Sequence, residues 1–260
     1  MPALWVKDIF IDKGGKSILK GADFQINQGE VICICGPSGD GKSTLLRVMG
    51  GLDKPDSGDI RIFERRTNIR YPSALDPVRD KLGFVFQNCA LISNQTVYDN
   101  IALPLRYHPK SYYKDVEYRV EQIMEAMLVT DFAHKYPHQI SLGIQKRVAV
   151  ARALITDPDI LLLDEPTSGL DYLSRVNLLA LISNMSQLRR VAVVLVTHDL
   201  LIPIELNAKI CILNQKKVSP PLKFDELSSL KIPFVDELIQ EFDFGKAEAQ
   251  GKELDKDYET

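Results

Sequence analysis

The feature that most constrains this 260-residue chain is the run Gly36-Pro37-Ser38-Gly39-Asp40-Gly41-Lys42-Ser43-Thr44, which fits the pattern G-x-x-x-x-G-K-[ST]. It follows the apolar stretch Val31-Ile32-Cys33-Ile34-Cys35, short enough for a buried parallel strand, and precedes a helical pattern of Leu45, Leu46 and Met49. A strand, a glycine-rich turn and a helix N-terminus in that order let consecutive backbone N–H groups curl around a phosphate. Lys42 would bring charge to the β and γ oxygens of a nucleotide and Ser43 a hydroxyl to Mg²⁺. The run is therefore read as a P-loop, and the chain as an α/β protein.

Two further apolar runs, Ile160 to Leu163 and Val191 to Val196, are also of strand length. They alternate with helical spacing in Val116, Val120, Ile123, Met124 and Met127, and in Leu178, Leu181, Ile182 and Met185. Before about Gln87, turn signals such as Pro55 to Gly58 and β-like stretches such as Asp59 to Phe63 suggest an antiparallel flank beside the parallel core. Residues 88–157 read as a helical subdomain bracketed by breaks at Pro104 and Pro137. The expected division is a main domain over 1–219, an amphipathic extension over 220–244 (Val235, Leu238, Ile239, Phe242) and a mobile charged tail over 245–260. No internal repeats are found.

The 32 Lys and Arg against 35 Asp and Glu leave a net charge of -3, so no basic surplus points to nucleic acid. The four cysteines lack C-x-x-C spacing and read as buried thiols of a reducing compartment. The N-terminus carries no signal-peptide pattern, and no aliphatic run approaches membrane-spanning length, so the chain is expected to be neither secreted nor membrane-spanning.

The run Ile160 to Leu163 ends in Asp164 and Glu165, two carboxylates at the C-terminal end of a buried strand, where ligands bind in doubly wound sheets. Asp164 is expected to hold Mg²⁺, and Glu165 to act as general base toward the water that attacks a γ-phosphate.

With the P-loop, Gln87, Asp164-Glu165-Pro166-Thr167-Ser168-Gly169-Leu170-Asp171 and His198 in this order, the chain resembles an ABC-transporter nucleotide-binding subunit over roughly residues 4 to 216. The resemblance implies a P-loop NTPase with a RecA-like core, an antiparallel β flank and a helical subdomain, which binds and hydrolyses ATP with Mg²⁺. It implies ATP sandwiched between two such subunits, by default a homodimer, on the cytoplasmic face of the inner membrane beneath an integral permease. Gln87 then corresponds to the Q-loop residue that contacts Mg²⁺ and the attacking water. His198 resembles the switch histidine at the γ-phosphate, and Asp171 the D-loop aspartate that crosses the dimer interface.

The family's signature L-S-G-G-Q appears here as Ile140-Ser141-Leu142-Gly143-Ile144, before a well-matched helix from Gln145 to Leu154. Ser141 and Gly143 would still offer a hydroxyl and an N–H to the partner's nucleotide, while Leu142 stands where the family has glycine and would obstruct close backbone approach. Lys13 stands where an aromatic usually stacks on adenine, so cation–π or aliphatic contact is expected instead; Phe10 and Trp5 are substitutes whose expected role is core packing.

Phe86 to Leu91, Val97 to Arg106 and Pro233 to Leu238 are similar to the Mla/Mce-type phospholipid-trafficking ATPases. That resemblance implies lipid handled only indirectly, through the permease, with Leu91, Ile92 and Tyr98 as contacts for its coupling helix. Val97 to Leu105 also resembles the FtsE and lipoprotein-release branches, and the altered signature leaves a non-hydrolysing regulatory ATP-binding module as a competing reading.

Overall fold

The computed structural model describes residues 2–63, 65–67, 78, 80–107, 115–236 and 239. The chain opens with β1 (Pro2–Lys13) and β2 (Lys16–Asn27), which with β4 (Ser57–Ile62) and β5 (Arg65–Thr67) form an antiparallel sheet in the order β2-β1-β4-β5. In β1, Leu4 and Val6 point to the core, the register shifts around Asp8 (φ 48°), and Ile9 and Ile11 then point inward. Trp5 faces outward by alternation with Leu4 and Val6, and the shift turns Phe10 outward as well, so the expectation that they pack in the core is overturned. Phe10 lies 42% exposed beside Gly21, and Trp5 lies under Arg61 and Lys7.

The second sheet runs β10 (Lys217–Val218), β9 (Lys209–Asn214), β3 (Val31–Cys35), β8 (Ala192–Thr197), β7 (Ile160–Asp164), β6 (Leu82–Val85). The pairs β9/β3, β3/β8, β8/β7 and β7/β6 are parallel, and β10 is antiparallel. Alternate residues feed two cores. Ile32, Ile34, Ile160, Leu162, Val194 and Val196 join α1 (Lys42–Met49) and the antiparallel sheet; Cys33, Cys35, Leu161, Leu163, Val193 and Leu195 join the helices of the other side. Burial on both faces explains why these strands read as continuous apolar runs. All four cysteines are buried free thiols, as expected.

Between β6 and β7 lie α2 (Val97–Arg106), α3 (Val116–Ala126), 3-10 turns at Thr130–Phe132 and Pro137–Gln139, and α4 (Leu142–Leu154). Pro104 does not break the chain, contrary to expectation: it lies inside α2, and the helix ends only after Arg106. Its ring removes only the N–H that would donate to the Asn100 carbonyl, and the turn closes beyond it, the Tyr107 N–H donating to the Leu103 carbonyl at 3.3 Å. The fully buried Asn100 fixes the turn ahead of α2: its Nδ2 donates to the carbonyls of Ile92, Gln95 and Thr96, and its Oδ1 accepts from the Ile92 N–H.

After β7 come α5 (Tyr172–Arg189) and, between β8 and β9, the short α6 (Leu201–Glu205). Beyond Pro220, Leu222 bridges antiparallel to Ile210 of β9. Leu227 and Val235 are fully buried, and Phe234 and Ile239 pack against the same helical-side core. That part of the extension is therefore covered by its own chain. Leu238, Phe242 and the tail from 245 to 260 lie outside the described residues.

The Asn100 network has a measurable consequence. Asn100→Leu keeps the branched shape but strands a buried N–H and several carbonyls, each worth about 1–3 kcal/mol. The urea midpoint should fall by an amount equivalent to at least about 2 kcal/mol, with unchanged slope.

Candidate active site

The P-loop leaves the C-terminal end of β3 and enters α1 through Gly41, whose φ of 101° is accessible mainly to glycine. A Cβ there would lie 2.7 Å from Ile18 Cγ2, so the close approach of β2 also requires glycine. The first N–H groups of α1 have no helical acceptor and face the loop. Lys42 folds back over it, Nζ donating to the carbonyls of Gly36 (2.8 Å) and Pro37 (2.9 Å). Burial lowers the Lys42 pKa, against the opposing charge of Glu165. Pro37, Ser38, Gly39 and Asp40 form the rest of the cradle, and Thr44 follows Ser43 in the first turn of α1.

Parallel pairing through β8 brings the end of β7 to the same edge, and Ser43 Oγ donates to Asp164 Oδ1 at 2.7 Å. Burial raises the Asp164 pKa; the Ser43 hydrogen bond opposes that rise and the neighbouring Glu165 charge adds to it. Among the described residues no cluster of three or more His, Cys, Asp or Glu could hold a metal. A hydroxyl and one carboxylate in contact nevertheless fit Mg²⁺, which takes few protein ligands and completes its shell with waters and phosphate oxygens.

Glu165 sits past the end of β7 with φ 46°, and its Oε1 lies 3.0 Å from Nδ1 of the exposed His198, beyond the end of β8. One sheet edge thus gathers Lys42, Ser43, Asp164, Glu165 and His198. Gln87, two residues past β6, has an exposed side chain, and its backbone is tied to this group by a residue the sequence reading passed over. Lys146, only 1% exposed, donates from Nζ to the carbonyls of Gln87 (2.5 Å) and Glu165 (3.1 Å). The signal was available: Lys146, Ala149, Val150 and Ala153 recur at helical spacing on the buried face of α4, and a lysine on that stripe needs a reason. Arg152 of the same helix donates to the carbonyls of Cys89 and Ala90, both 2.7 Å away.

Ser141, Gly143 and Asp171 do not join this group. Ser141 caps α4, accepting from the Ile144 N–H at 3.4 Å, and Gly143 lies against Ser174 and Leu170. Asp171 caps α5 through the Ser174 N–H at 2.9 Å, which lowers its pKa. Leu142 is 41% exposed and leans over Gly169, so its side chain occupies the surface between the α4 and α5 N-termini. Lys13 Nζ makes an exposed ion pair with Asp53 at 3.0 Å, a carboxylate that Arg47 also holds. Of the three expected permease contacts, Ile92 lines a surface cavity of about 940 Å³, whereas Leu91 and Tyr98 pack against the core.

The sequence model of the ABC transporter family matches residues 19–168. The chain belongs to that family. It is 38% identical over 218 residues to a sulfate/thiosulfate import ATP-binding protein, CysA, of Mycolicibacterium paratuberculosis, covering 83% of this chain and 58% of that protein. It is 34% identical over 214 residues to a methionine import ATP-binding protein, MetN, of Clostridium tetani, covering 82% of this chain and 67% of that one. The chain spans less than two thirds of the CysA proteins it matches. Among solved structures it is similar to the dimeric, post-hydrolysis ATP-binding cassette MJ0796 bound to ADP and Pi, with a TM-score of 0.75 and 33% identity over 85% of this chain and 98% of that one. The chain thus shares the α/β cassette fold of that family, with the P-loop at the sheet edge described above.

The buried carboxylate makes a pH-dependent prediction. Because the folded-state pKa of Asp164 is raised, its ionised form costs stability at neutral pH, and that cost disappears as pH falls below the unfolded value of 3.8. Asp164→Asn, which still accepts from Ser43, should raise the Tm of the nucleotide-free protein at pH 7. Thermal melts below pH 3.8 should show no gain.

Proposed function

We propose that the chain binds and hydrolyses Mg²⁺-ATP and, paired with a second ATP-binding subunit, drives an integral membrane permease. The observation that carries this reading is the contact of Ser43 with Asp164 at the mouth of the P-loop, with Glu165 and His198 next to them. The P-loop N–H groups and Lys42 would hold the β- and γ-phosphates, Lys42 exchanging the Gly36 and Pro37 carbonyls for phosphate oxygens. Ser43 and Asp164 would hold Mg²⁺, with Gln87 reaching it from the Q-loop; the ion neutralises charge on the β and γ oxygens.

Glu165 is the general base. Its carboxylate takes a proton from water as the water oxygen bonds to the γ-phosphorus, and the bond from that phosphorus to the bridging oxygen breaks to leave ADP. His198, hydrogen-bonded to Glu165, orients that carboxylate and faces the γ-phosphate. Ser141, Gly143 and Asp171, set apart from their own P-loop group, act on the nucleotide of the partner subunit, and the dimeric state of MJ0796 supports this pairing. Among the described residues no helix is long and apolar enough to cross a membrane, which accords with a peripheral subunit on the cytoplasmic face.

The permease would seat a coupling helix in the cavity beside Phe86, Ile92 and Pro104. Phospholipid is the finer reading of the cargo and rests on Phe86 to Leu91, Val97 to Arg106 and Pro233 to Leu238. The names of CysA and MetN instead support a second reading, import of a small nutrient. Purification of the chain with its permease separates the two: lipid-dependent stimulation of ATPase supports the first, and stimulation by a solute-loaded binding protein the second.

Turnover is the direct test. With the membrane partner present, Glu165→Gln should lower kcat by about a hundredfold or more while ATP binding persists, and Leu142→Gly should raise it. Absence of turnover in the natural sequence, restored by Leu142→Gly, would mean that the ATP-binding surface serves regulation.

A further inference from the structure

Lys146 is the most buried charged side chain among the described residues, and its partners are neutral. Its three N–H donors meet three acceptors: the Gln87 carbonyl at 2.5 Å, the Glu165 carbonyl at 3.1 Å and Ser168 Oγ at 3.4 Å. Ser168 Oγ in turn donates to the Glu165 carbonyl at 2.9 Å. One ammonium therefore joins the Q-loop, the base and the segment leading into the Asp171 cap, from the second turn of the helix that Ser141 caps.

Burial lowers the Lys146 pKa, so the charge is held at a cost, and an apolar side chain of similar volume would be the cheaper filler. What the charge secures is backbone placement. Glu165 has a left-handed backbone, and the orientation of its carboxylate toward His198 follows from where its carbonyl is anchored. The Gln87 carbonyl is anchored by the same ammonium, and the next turn of the Q-loop, with Cys89 and Ala90 also at positive φ, is held by Arg152. α4 thus grips the Q-loop at two points, and only at Lys146 does that grip extend to the base.

We propose that Lys146 is a positioning residue for ATP hydrolysis: it clamps the backbone of Gln87 to that of Glu165, so that α4, the Q-loop and the base move as one unit. The inference rests on the assignment of Glu165 as base. It makes the rate of the chemical step, and not nucleotide binding, depend on a side chain remote from the P-loop. A shift of the carboxylate by about 1 Å is enough to cost on the order of a hundredfold in rate.

The test compares Lys146→Met, which keeps most of the unbranched stem without a donor, with Lys146→Gln, whose amide still donates to a carbonyl, in the protein purified with its membrane partner. In Lys146→Met, kcat should fall about 10- to 100-fold with KM for Mg²⁺-ATP within about twofold. Lys146→Gln should recover most of the loss. Hydrogen exchange at 86–90 and 165–169 should accelerate in the Met variant and return toward normal in the Gln variant, whether or not ATP is turned over. Ser168→Ala, which removes only the shared hydroxyl, should give a smaller fall in kcat and serves if Lys146→Met does not fold.

The proposal is overturned if kcat is unchanged in Lys146→Met, if KM rises in step with the fall in kcat, if Gln does no better than Met, or if exchange at the two segments does not change. If Lys146→Met does not fold, unchanged kcat in Ser168→Ala overturns it. Turnover abolished by Glu165→Gln but indifferent to Lys146→Met would sink this inference alone. A natural sequence without turnover would sink the ATPase reading and with it the catalytic role of Lys146, while exchange would still report the clamp.

Discussion

Every residue of β7 and β8 is buried, and the parallel sheet they centre is covered on both faces. That burial sets the position of everything else. Parallel strands present their C-terminal ends at one edge, so the loops after β3, β6, β7 and β8 converge there although their sequences lie far apart. The backbone pairing is already satisfied within the sheet, which leaves the edge free to carry polar groups. The hydrogen bond from Ser43 to Asp164 is the first product of this convergence.

The groups at that edge are held at a cost. Burial and the adjacent Glu165 disfavour the ionised form of Asp164, Lys42 is desolvated, and Glu165 adopts a backbone conformation unfavourable for a side chain of its size. A bound nucleotide and its cation would supply the opposite charges: phosphate oxygens for Lys42 and a divalent ion for Asp164. The site is built to be completed by its ligand. Its strain is matched elsewhere by two apolar cores and by buried polar networks, such as that of Asn100, in which the side-chain groups are paired.

α4 has a different task from the sheet. Its N-terminus carries the altered signature, Leu142 leaning over Gly169, and its buried face carries Lys146 and Arg152 to the Q-loop carbonyls. Arg152 and Ala153 of the same helix line the cavity beside Phe86 and Ile92. On the proposed function, a rigid helix that lines the docking cavity at one point and holds the Glu165 carbonyl at another would be a physical route for coupling, because displacement at either end must be shared by the bonds between them.

Much of this was legible before the structure. The P-loop, the strand ending in Asp164 and Glu165, and the alternation of strand-length and helix-length runs specify an α/β sheet with a phosphate site, since local pattern and turn chemistry depend on near neighbours in the chain. The pattern failed where long-range packing intervened. A register shift near Asp8 turned Phe10 outward, and α2 runs on through Pro104 to Arg106. The extension after Pro220 reads as an amphipathic segment, but only the fold shows that Val235 is buried in its own chain. Lys146 is the clearest case: a sequence can show a lysine on a buried stripe, but not that its three donors meet Gln87, Glu165 and Ser168. Those acceptors come from two separate segments, the loop after β6 and the turn after β7, and only the assembled sheet brings them within reach of one ammonium.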